Sequence, residues 1–218
     1  MQRTPQTLQP GSARAGLARI VWHLGFLKTG TTTFQRMLMQ NRAALPEALA
    51  VFPRHRTTRA LRRAAMRFHA APEDPARRAA LAREARRLAD SALETGASAV
   101  LISDETLAGR APFGPGDDCF EMAARVLPLL AAAVPAREAI FVFYTRPMEE
   151  WLASCHNQMV KNERLTLDYP AWRAGCPFVP DWDVQQDRLA AAVEAPVVFR
   201  DFRADAAAGQ PLGAEILR

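Results

Sequence analysis

Long apolar runs are absent from this sequence of 218 residues. No stretch reaches the roughly 18 consecutive apolar residues that a membrane-spanning helix needs. Residues 1–18 are polar and also lack the apolar core of a secretory signal. We therefore expect residues 1–18 to form a disordered lead-in to a cytoplasmic protein that does not insert stably into a membrane.

Cysteine is scarce, with three residues in the whole chain. Cys119, Cys155 and Cys176 are far apart in sequence and odd in number, which favours neither a disulfide framework nor a zinc site. Aromatic residues are not interleaved with the basic ones as a nucleic-acid stacking platform would require. We therefore expect neither a zinc site nor a nucleic-acid partner, whereas the net charge of +5 suits an anionic ligand.

Lysine is also rare, since it accounts for two of the 28 basic residues and arginine for the other 26. The arginine bias, together with the heavy use of alanine, is typical of genome composition rather than of function. Lysine at position 28 is therefore informative, because it indicates a site that requires a compact ammonium rather than a planar guanidinium.

Short apolar runs alternate with amphipathic segments along most of the chain. The apolar runs predict buried strands at residues 18–26, 48–53, 98–105, 138–147 and 195–202. Helical spacing of apolar residues predicts helices at residues 31–45, 120–134, 148–162 and 183–193, with two more between 54 and 95. This alternation predicts a single α/β domain over residues 19–218, in which helices cover both faces of a doubly wound parallel sheet in three layers.

Proline, glycine and polar residues mark the expected breaks between these elements. Residues 71–76 separate the two helices of the alanine-rich and arginine-rich region, and Pro75 suits the first turn of the second helix. Residues 169–182 are predicted to be a loop. The tail, residues 211–218, has the pattern of a helix that the chain cuts short.

The segment VWHLGFLKTGTTTFQRML, residues 21–38, is close to a phosphate-binding loop but has its lysine in another place. Gly25 and Gly30 keep the glycine spacing of the nucleotide-triphosphatase pattern, but Thr31 stands where that pattern has lysine. Backbone amides at a helix amino terminus, threonine hydroxyls and Lys28 can together bind a phosphate group. The alternative is a structural turn between a strand and a helix, with a threonine as its cap.

A second candidate anion site follows the strand at residues 138–147. Arg146 lies at the carboxyl end of that strand, the edge at which open α/β sheets bind ligands. Ser154 follows eight residues later, just over two helical turns, so that both side chains can face the same side. The guanidinium and the hydroxyl make a reasonable phosphate site, although an arginine after a strand is more often a surface ion-pair partner.

Together the two segments resemble the sulfotransferases that use 3′-phosphoadenosine 5′-phosphosulfate. FLKTGTTTF is similar to the family's P-K-[ST]-G-T-T loop, and RPMEEWLAS is similar to its R-x7-S pattern. Gly25, Gln35 and Leu38 also match the bacterial branch, whereas Leu27 replaces a frequent proline. The resemblance covers about residues 19–162. Relatives usually continue past a final strand and helix, so that the end at Arg218 leaves the completeness of the acceptor pocket open.

The resemblance implies a P-loop NTPase-like sulfotransferase fold and transfer of a sulfuryl group to a hydroxyl of a carbohydrate or small-molecule acceptor. It implies that Arg146 and Ser154 hold the 3′-phosphate of the donor. It places Lys28 at the oxygen that bridges phosphate and sulfate, where charge develops in the transition state, and it implies that no metal is needed. The residues implied to hold the phosphosulfate are Lys28, Thr29, Gly30, Thr31, Thr32 and Thr33.

An in-line transfer also needs a base for the acceptor hydroxyl, and the sequence offers several candidates. Glu105, at the end of a predicted strand, is preferred over the adjacent Asp104, and His55 is its rival. His156 is a weaker candidate. The alternative for the two acids is a helix cap followed by a first-turn acid. His23 lies within an apolar strand and is predicted to be a core residue.

Two rival functions stay open at this point. Asp104 and Glu105 after an apolar strand also resemble the magnesium-binding acids of P-loop kinases and nucleotide hydrolases, which use ATP. A non-catalytic nucleotide-binding member of the fold is the second rival. The arginines of residues 54–87 form either a wall against an anionic acceptor or a solvated helix face. Trp151 and Trp172 can line an acceptor pocket, but Trp151, at helical spacing from Cys155, can equally lie in the core.

Overall fold

The computed structural model describes residues 19–54, 57–109, 118–134, 139–162 and 165–210. Within this part, five strands form one sheet: β1 (Arg19–His23), β2 (Leu49–Pro53), β3 (Ala99–Ser103), β4 (Ala139–Thr145) and β5 (Val197–Asp201). The strands pair in the order β2-β3-β1-β4-β5, and every pair is parallel. The predicted α/β class and parallel sheet are therefore confirmed.

Eight α-helices connect or follow the strands in the described residues: α1 (Thr31–Gln40), α2 (Arg59–Ala70), α3 (Pro75–Leu93), α4 (Glu121–Ala131), α5 (Met148–Lys161), α6 (Tyr169–Ala174), α7 (Trp182–Ala191) and α8 (Phe202–Ala207). Two short 3-10 helices lie at Arg42–Ala44 and Glu105–Leu107. None of the helices in these residues is long and apolar enough to cross a membrane.

Helices pack on both faces of the sheet because the side chains of each strand alternate between the faces. On one face, Trp22 of β1 and Ile102 of β3 join the large core formed with α2 to α7. On the other face, Leu101 of β3 packs with Phe34 and Leu38 of α1. A strand buried on both faces is apolar throughout, which is why continuous apolar runs marked these strands in the sequence.

The break between α2 and α3 follows from its side chains. Asp74 accepts hydrogen bonds from the amides of Ala76 and Arg77, at 2.9 and 3.3 Å, and so caps α3. Pro75 occupies the first turn, where its missing N–H is not needed. The predicted start of this helix is confirmed.

Three local predictions differ from the structure. Residues 169–182 were predicted to be a loop, but α6 forms there because the Asp168 side chain caps it at the amide of Ala171, 2.9 Å away. Helix α1 ends at Gln40 instead of reaching residue 45, and a 3-10 turn follows it. Helix α8 directly after β5 was not predicted. Residues 1–18 and the tail 211–218 lie outside the described residues.

The strand order brings three connections to one edge of the sheet. Strand β1 lies between β3 and β4, and all three are parallel. The segments that follow their carboxyl ends therefore meet at the edge where parallel α/β sheets bind ligands. These segments contain the loop before α1, the acids after β3 and Arg146 after β4.

Candidate functional site

The loop between β1 and α1 makes two turns that need glycine. Gly25 has φ +30°, and a Cβ there would lie 2.4 Å from the Thr31 hydroxyl oxygen. Gly30 has φ +94°, and a Cβ there would lie 3.1 Å from the ring of Phe202 in α8. The glycine spacing of the sequence therefore reflects backbone conformation and close packing, which other residues would disturb.

Lys28 adopts φ +69°, and it is the one described non-glycine residue with positive φ. Such a conformation costs a side-chain-bearing residue roughly 1–2 kcal/mol. The strained backbone leaves the Lys28 side chain exposed on the loop, and its Nζ donates to Gln158 Oε1 at 3.3 Å. The loop thus holds an ammonium against helix α5, where it contacts a neutral amide oxygen.

Thr29 differs from its neighbours because it points into the protein. Its side chain is fully buried, and its hydroxyl donates to the Phe26 carbonyl at 2.6 Å. The Thr29 amide donates to the same carbonyl at 3.3 Å. Both donors are therefore used in closing the turn, and Thr29, one of the residues expected to hold the phosphosulfate, is not among those that line the cavity described below.

The amino end of α1 offers hydrogen-bond donors. The first amides of any helix have no intrahelical acceptor, and Gly30, the N-cap of α1, has no side chain that could accept from them. Thr31 is buried, and no described residue accepts from or donates to its hydroxyl. The Thr32 and Thr33 side chains are exposed. These groups and the helix dipole together favour an anion.

Arg146 is held at the end of β4 by its surroundings. Trp182 Nε1 donates to the Arg146 carbonyl at 2.6 Å. The Arg146 guanidinium donates through Nη2 to Glu150 at 3.0 Å, and its carbon lies 6.0 Å from the centre of the Phe202 ring. Its Nε is buried without a partner among the described residues. This guanidinium therefore keeps donors available beside its one ion pair.

One cavity of about 510 Å³ unites these groups, a volume suited to a small-molecule ligand. Two turns of α5 bring Ser154 to the same cavity as Arg146, as the eight-residue spacing predicted. The cavity is lined by Leu27, Lys28, Gly30, Thr31, Thr32, Thr33, Arg54, Glu105, Arg146, Ser154, Gln158, Met159 and Asn162. It therefore combines three basic side chains, one carboxylate and the amino end of a helix.

Glu105 is the carboxylate of the cavity. It is buried, with 3% of its side chain exposed, and it forms an ion pair with Arg54 through Oε1. Its Oε2 accepts from Gln35 Nε2 of helix α1 at 3.2 Å. Both donors satisfy carboxylate oxygens that would otherwise be buried without a hydrogen-bond partner.

Asp104, the neighbouring acid, has a structural role. It is fully buried and accepts hydrogen bonds from Thr58 at 2.7 Å, from Arg62 at 3.3 Å and from the Thr106 amide at 3.0 Å. Its carboxylate caps the 3-10 helix in which Glu105 occupies the first turn. The cap predicted for this acid pair is present, but only Glu105 of the two acids lines the cavity.

A buried polar chain leads from the core to Glu105. His23 Nδ1 and Ser103 Oγ lie 2.9 Å apart, and Gln35 Nε2 lies 3.1 Å from the same hydroxyl oxygen. His23 is fully buried, as predicted, and its Nε2 has no partner among the described residues. Burial lowers the pKa of His23 from 6.5 to about 3, so that its imidazole is neutral at ordinary pH.

The remaining candidates lie elsewhere. His156 Nε2 is 2.9 Å from the Leu167 carbonyl, and its ring packs against Tyr169 rather than lining the cavity. Trp151 and Trp172 are buried and belong to the core, which decides between the two possibilities that the sequence left open. His55, the rival base, lies outside the described residues.

Sequence reasoning missed Arg54, Gln35 and Gln158 as members of the site. Arg54 follows β2, so that its position at the shared edge of the sheet depends on the pairing of β2 with β3. Gln35 was noted as a motif residue, but its contact with Glu105 spans 70 residues. Gln158 lies one helical turn beyond Ser154, which was a usable signal for this side chain once α5 was predicted.

Comparisons with known proteins assign no family to this chain. No protein-family model matches it, and no curated protein matches it significantly. The chemistry of the cavity is therefore the basis for a functional assignment.

Proposed function

We propose that this protein is a sulfotransferase that transfers a sulfuryl group from 3′-phosphoadenosine 5′-phosphosulfate to a hydroxyl of a carbohydrate or small-molecule acceptor. The observation that carries the proposal is the cavity in which Lys28, the amino end of α1, Arg146, Ser154 and Glu105 meet. This co-substrate carries negative charge at two separate ends, so that it needs two separate groups of hydrogen-bond donors. The cavity contains both groups.

The amino end of α1 would bind the phosphosulfate. Thr31, Thr32 and Thr33 line the cavity, the first amides of the helix have no intrahelical acceptor, and the Thr31 hydroxyl has no partner among the described residues. Backbone amides are rigid donors, so that they hold an anion without the entropy cost of ordering long side chains.

Arg146 and Ser154 would bind the 3′-phosphate. The guanidinium has five N–H donors, and Glu150 occupies one of its nitrogens, Nη2. Phosphate matches the fork of the guanidinium, and the Ser154 hydroxyl can supply a further hydrogen bond. This site selects a nucleotide with a 3′-phosphate over ATP, which lacks one.

Lys28 would act on the bond that breaks. The bond between sulfur and the bridging oxygen breaks as the acceptor oxygen bonds to sulfur, and 3′,5′-adenosine diphosphate leaves with the bridging electrons. Charge therefore builds on the bridging oxygen, and a lysine held there stabilises the transition state more than the ground state. The strained backbone of Lys28 is the kind of cost that is found at functional sites.

Glu105 would take the proton of the acceptor hydroxyl. Its carboxylate lines the cavity and is held in one orientation by Arg54 and Gln35. Each carboxylate oxygen has a second lone pair, which leaves Glu105 able to accept a hydrogen bond from the acceptor. His55 stays the rival base.

The strand order supports a P-loop NTPase-like fold for this enzyme. The loop before α1 leaves the central strand β1, with β3 and β4 as direct neighbours. Glu105 follows β3 and Arg146 follows β4, so that the proposed base and the proposed 3′-phosphate site flank this loop from the two neighbouring strands.

An ATP-dependent kinase or hydrolase is the main alternative. Its magnesium would need an available acid after β3, but Asp104 is already bound by Thr58, Arg62 and Thr106. Glu105 can still accept a hydrogen bond, but the positive charge of Arg54 beside it repels a second cation such as magnesium. These contacts favour the sulfotransferase over the kinase. A non-catalytic nucleotide-binding protein would keep the donor site without turnover.

Calorimetric titration with 3′,5′-adenosine diphosphate, compared with ATP and magnesium, tests the proposal. We expect metal-independent binding of the first ligand that weakens about tenfold to a hundredfold in Arg146→Gln, because a charge-assisted contact is lost. Arg203→Gln is the matched control, since Arg203 also contacts Glu150, at 3.3 Å, but does not line the cavity. Preference for ATP with magnesium would overturn the proposal.

A further inference from the structure

We infer, on the basis of the proposed sulfuryl transfer, that the acceptor is a polyanionic carbohydrate and that an arginine stripe on α2 binds it beside the cavity. The stripe consists of Arg59, Arg63 and Arg67. Their spacing of four residues puts them on one side of the helix over about 12 Å.

The stripe of α2 has no acidic residue on its own helix and no acidic partner among the described residues. Helix α2, RALRRAAMRFHA, contains four arginines and no acid. The Arg59, Arg63 and Arg67 side chains are exposed, and none forms an ion pair with a described residue. In helix α3, by comparison, three of the five arginines form ion pairs within the helix or with its cap: Arg77 with Asp74, Arg86 with Asp90 and Arg87 with Glu84.

The charge arrangement of α2 is unfavourable for the helix itself. Like charges four residues apart repel each other, and Arg59 in the first turn opposes the positive end of the helix dipole. The fold of α2 comes instead from its apolar side, where Leu61, Ala65 and Phe68 are buried. An anionic ligand along the stripe would remove the repulsion.

The amino end of α2 lies beside the proposed base. Thr58, the residue before α2, donates to Asp104 at 2.7 Å, and Arg62 in the first turns donates to the same carboxylate at 3.3 Å. Glu105 follows Asp104 directly and pairs with Arg54, which lines the cavity. A chain that lies on the stripe can therefore continue past Arg54 and present a hydroxyl to Glu105.

Carbohydrate fits this surface better than nucleic acid does. Single-stranded nucleic acids bind through basic grooves that also carry aromatic side chains for base stacking. Phe68, the aromatic residue of α2, is buried, and no aromatic side chain lines the described cavity. An acidic polysaccharide supplies both the regular negative charges and the hydroxyl that the transfer requires.

Binding of hyaluronan, a carboxylate-bearing polysaccharide, tests the inference with the full-length protein saturated with 3′,5′-adenosine diphosphate. We expect binding that weakens with salt, and no binding of neutral dextran. The variant Arg59→Gln/Arg63→Gln/Arg67→Gln should bind hyaluronan about tenfold more weakly, since exposed ionic contacts are individually small. Its affinity for 3′,5′-adenosine diphosphate should stay unchanged, which shows that the variant is folded.

The control variant Arg19→Gln/Arg36→Gln/Arg42→Gln removes the same charge from exposed residues away from α2. An equal loss in this control, or no loss in the stripe variant, would overturn the inference. Tighter binding of a polyuridine oligonucleotide than of hyaluronan would also overturn it, in favour of RNA.

Failure of the proposed function has a separate readout. If the wild-type protein does not bind 3′,5′-adenosine diphosphate, the sulfotransferase proposal fails regardless of the polysaccharide result. If it binds that nucleotide but the stripe variant keeps its hyaluronan affinity, only the acceptor inference fails.

Discussion

Trp151 Nε1 donates a hydrogen bond of 2.7 Å to the carbonyl of Leu27, a residue 124 positions earlier in the chain. Trp151 is buried and belongs to α5, which also carries Ser154, whereas Leu27 directly precedes Lys28. This bond therefore fastens the lysine loop to the helix that supplies the opposite side of the cavity.

Trp151→Phe should weaken binding of 3′,5′-adenosine diphosphate severalfold. The phenyl ring keeps part of the packing but leaves the Leu27 carbonyl without its donor, at a cost of about 1–2 kcal/mol in stability. Trp172→Phe is the matched control, because Trp172 is equally buried and its Nε1 has no partner among the described residues. Calorimetry on both variants checks this, and equal nucleotide affinities would contradict the role of the bond.

Lys28→Met should lower the rate of sulfuryl transfer by about a hundredfold or more, because the cation at the bridging oxygen is lost. Binding of 3′,5′-adenosine diphosphate should fall much less, since that product no longer contains the bond that breaks. Lys161→Met controls for the charge, as Lys161 is the other lysine of the chain and does not line the cavity. Single-turnover kinetics measures the effect, and a normal rate would remove Lys28 from the mechanism.

Glu105→Gln should slow the transfer about a hundredfold while leaving the affinity for 3′,5′-adenosine diphosphate unchanged. Glutamine has nearly the same shape, but it keeps only one acceptor oxygen, so that it can accept from Arg54 or from Gln35 in the present geometry but not from both. Its amide is also a far poorer proton acceptor than a carboxylate. The measurement is the turnover rate beside a calorimetric titration of the same preparation. A fully active variant would instead direct attention to His55.

Gly25→Ala should abolish nucleotide binding or destabilise the protein strongly. The added Cβ would lie 2.4 Å from the Thr31 hydroxyl oxygen, so that the amino end of α1 must shift. Gly96→Ala is the control, since Gly96 also has positive φ, +70°, but a Cβ there meets nothing within 4 Å. Thermal unfolding should show a loss of only about 1 kcal/mol for the control, from its backbone conformation.

His23 should make the protein less stable in acid. Its pKa is about 3 when folded and 6.5 in the unfolded chain, so that between these values the unfolded state binds one more proton. The contribution of His23 to the free energy of unfolding is therefore constant above pH 6.5. It falls by about 1.4 kcal/mol for each pH unit below that value. The variant His23→Gln lacks this pH-dependent loss. Its free energy of unfolding, measured with denaturant, should be lower than that of the wild type at pH 8, and the difference should be smaller at pH 5. A difference that does not change with pH would contradict the burial argument.

Local sequence patterns were sufficient for most of the elements. Strands buried on both faces are continuously apolar, and the caps and glycines at helix ends act within a few residues, as at Asp74 and Pro75. Helix α6 was missed because its short length gives no apolar period, although Asp168 followed by a proline was a capping signal. The two anion-binding segments were also readable, since each depends on spacing within one loop or helix.

The side chains that lie around those two segments depend on the order of the strands in the sheet, which no local pattern encodes. Placing β1 between β3 and β4 puts Lys28, Glu105 and Arg146 at one edge, and pairing β2 with β3 adds Arg54. Only the fold turned Thr29 inward, where closing the turn uses its donors. The sequence by itself determined which groups can bind an anion, because that is local chemistry. The tertiary structure decided which of them share a cavity, because long-range packing sets the distances between them.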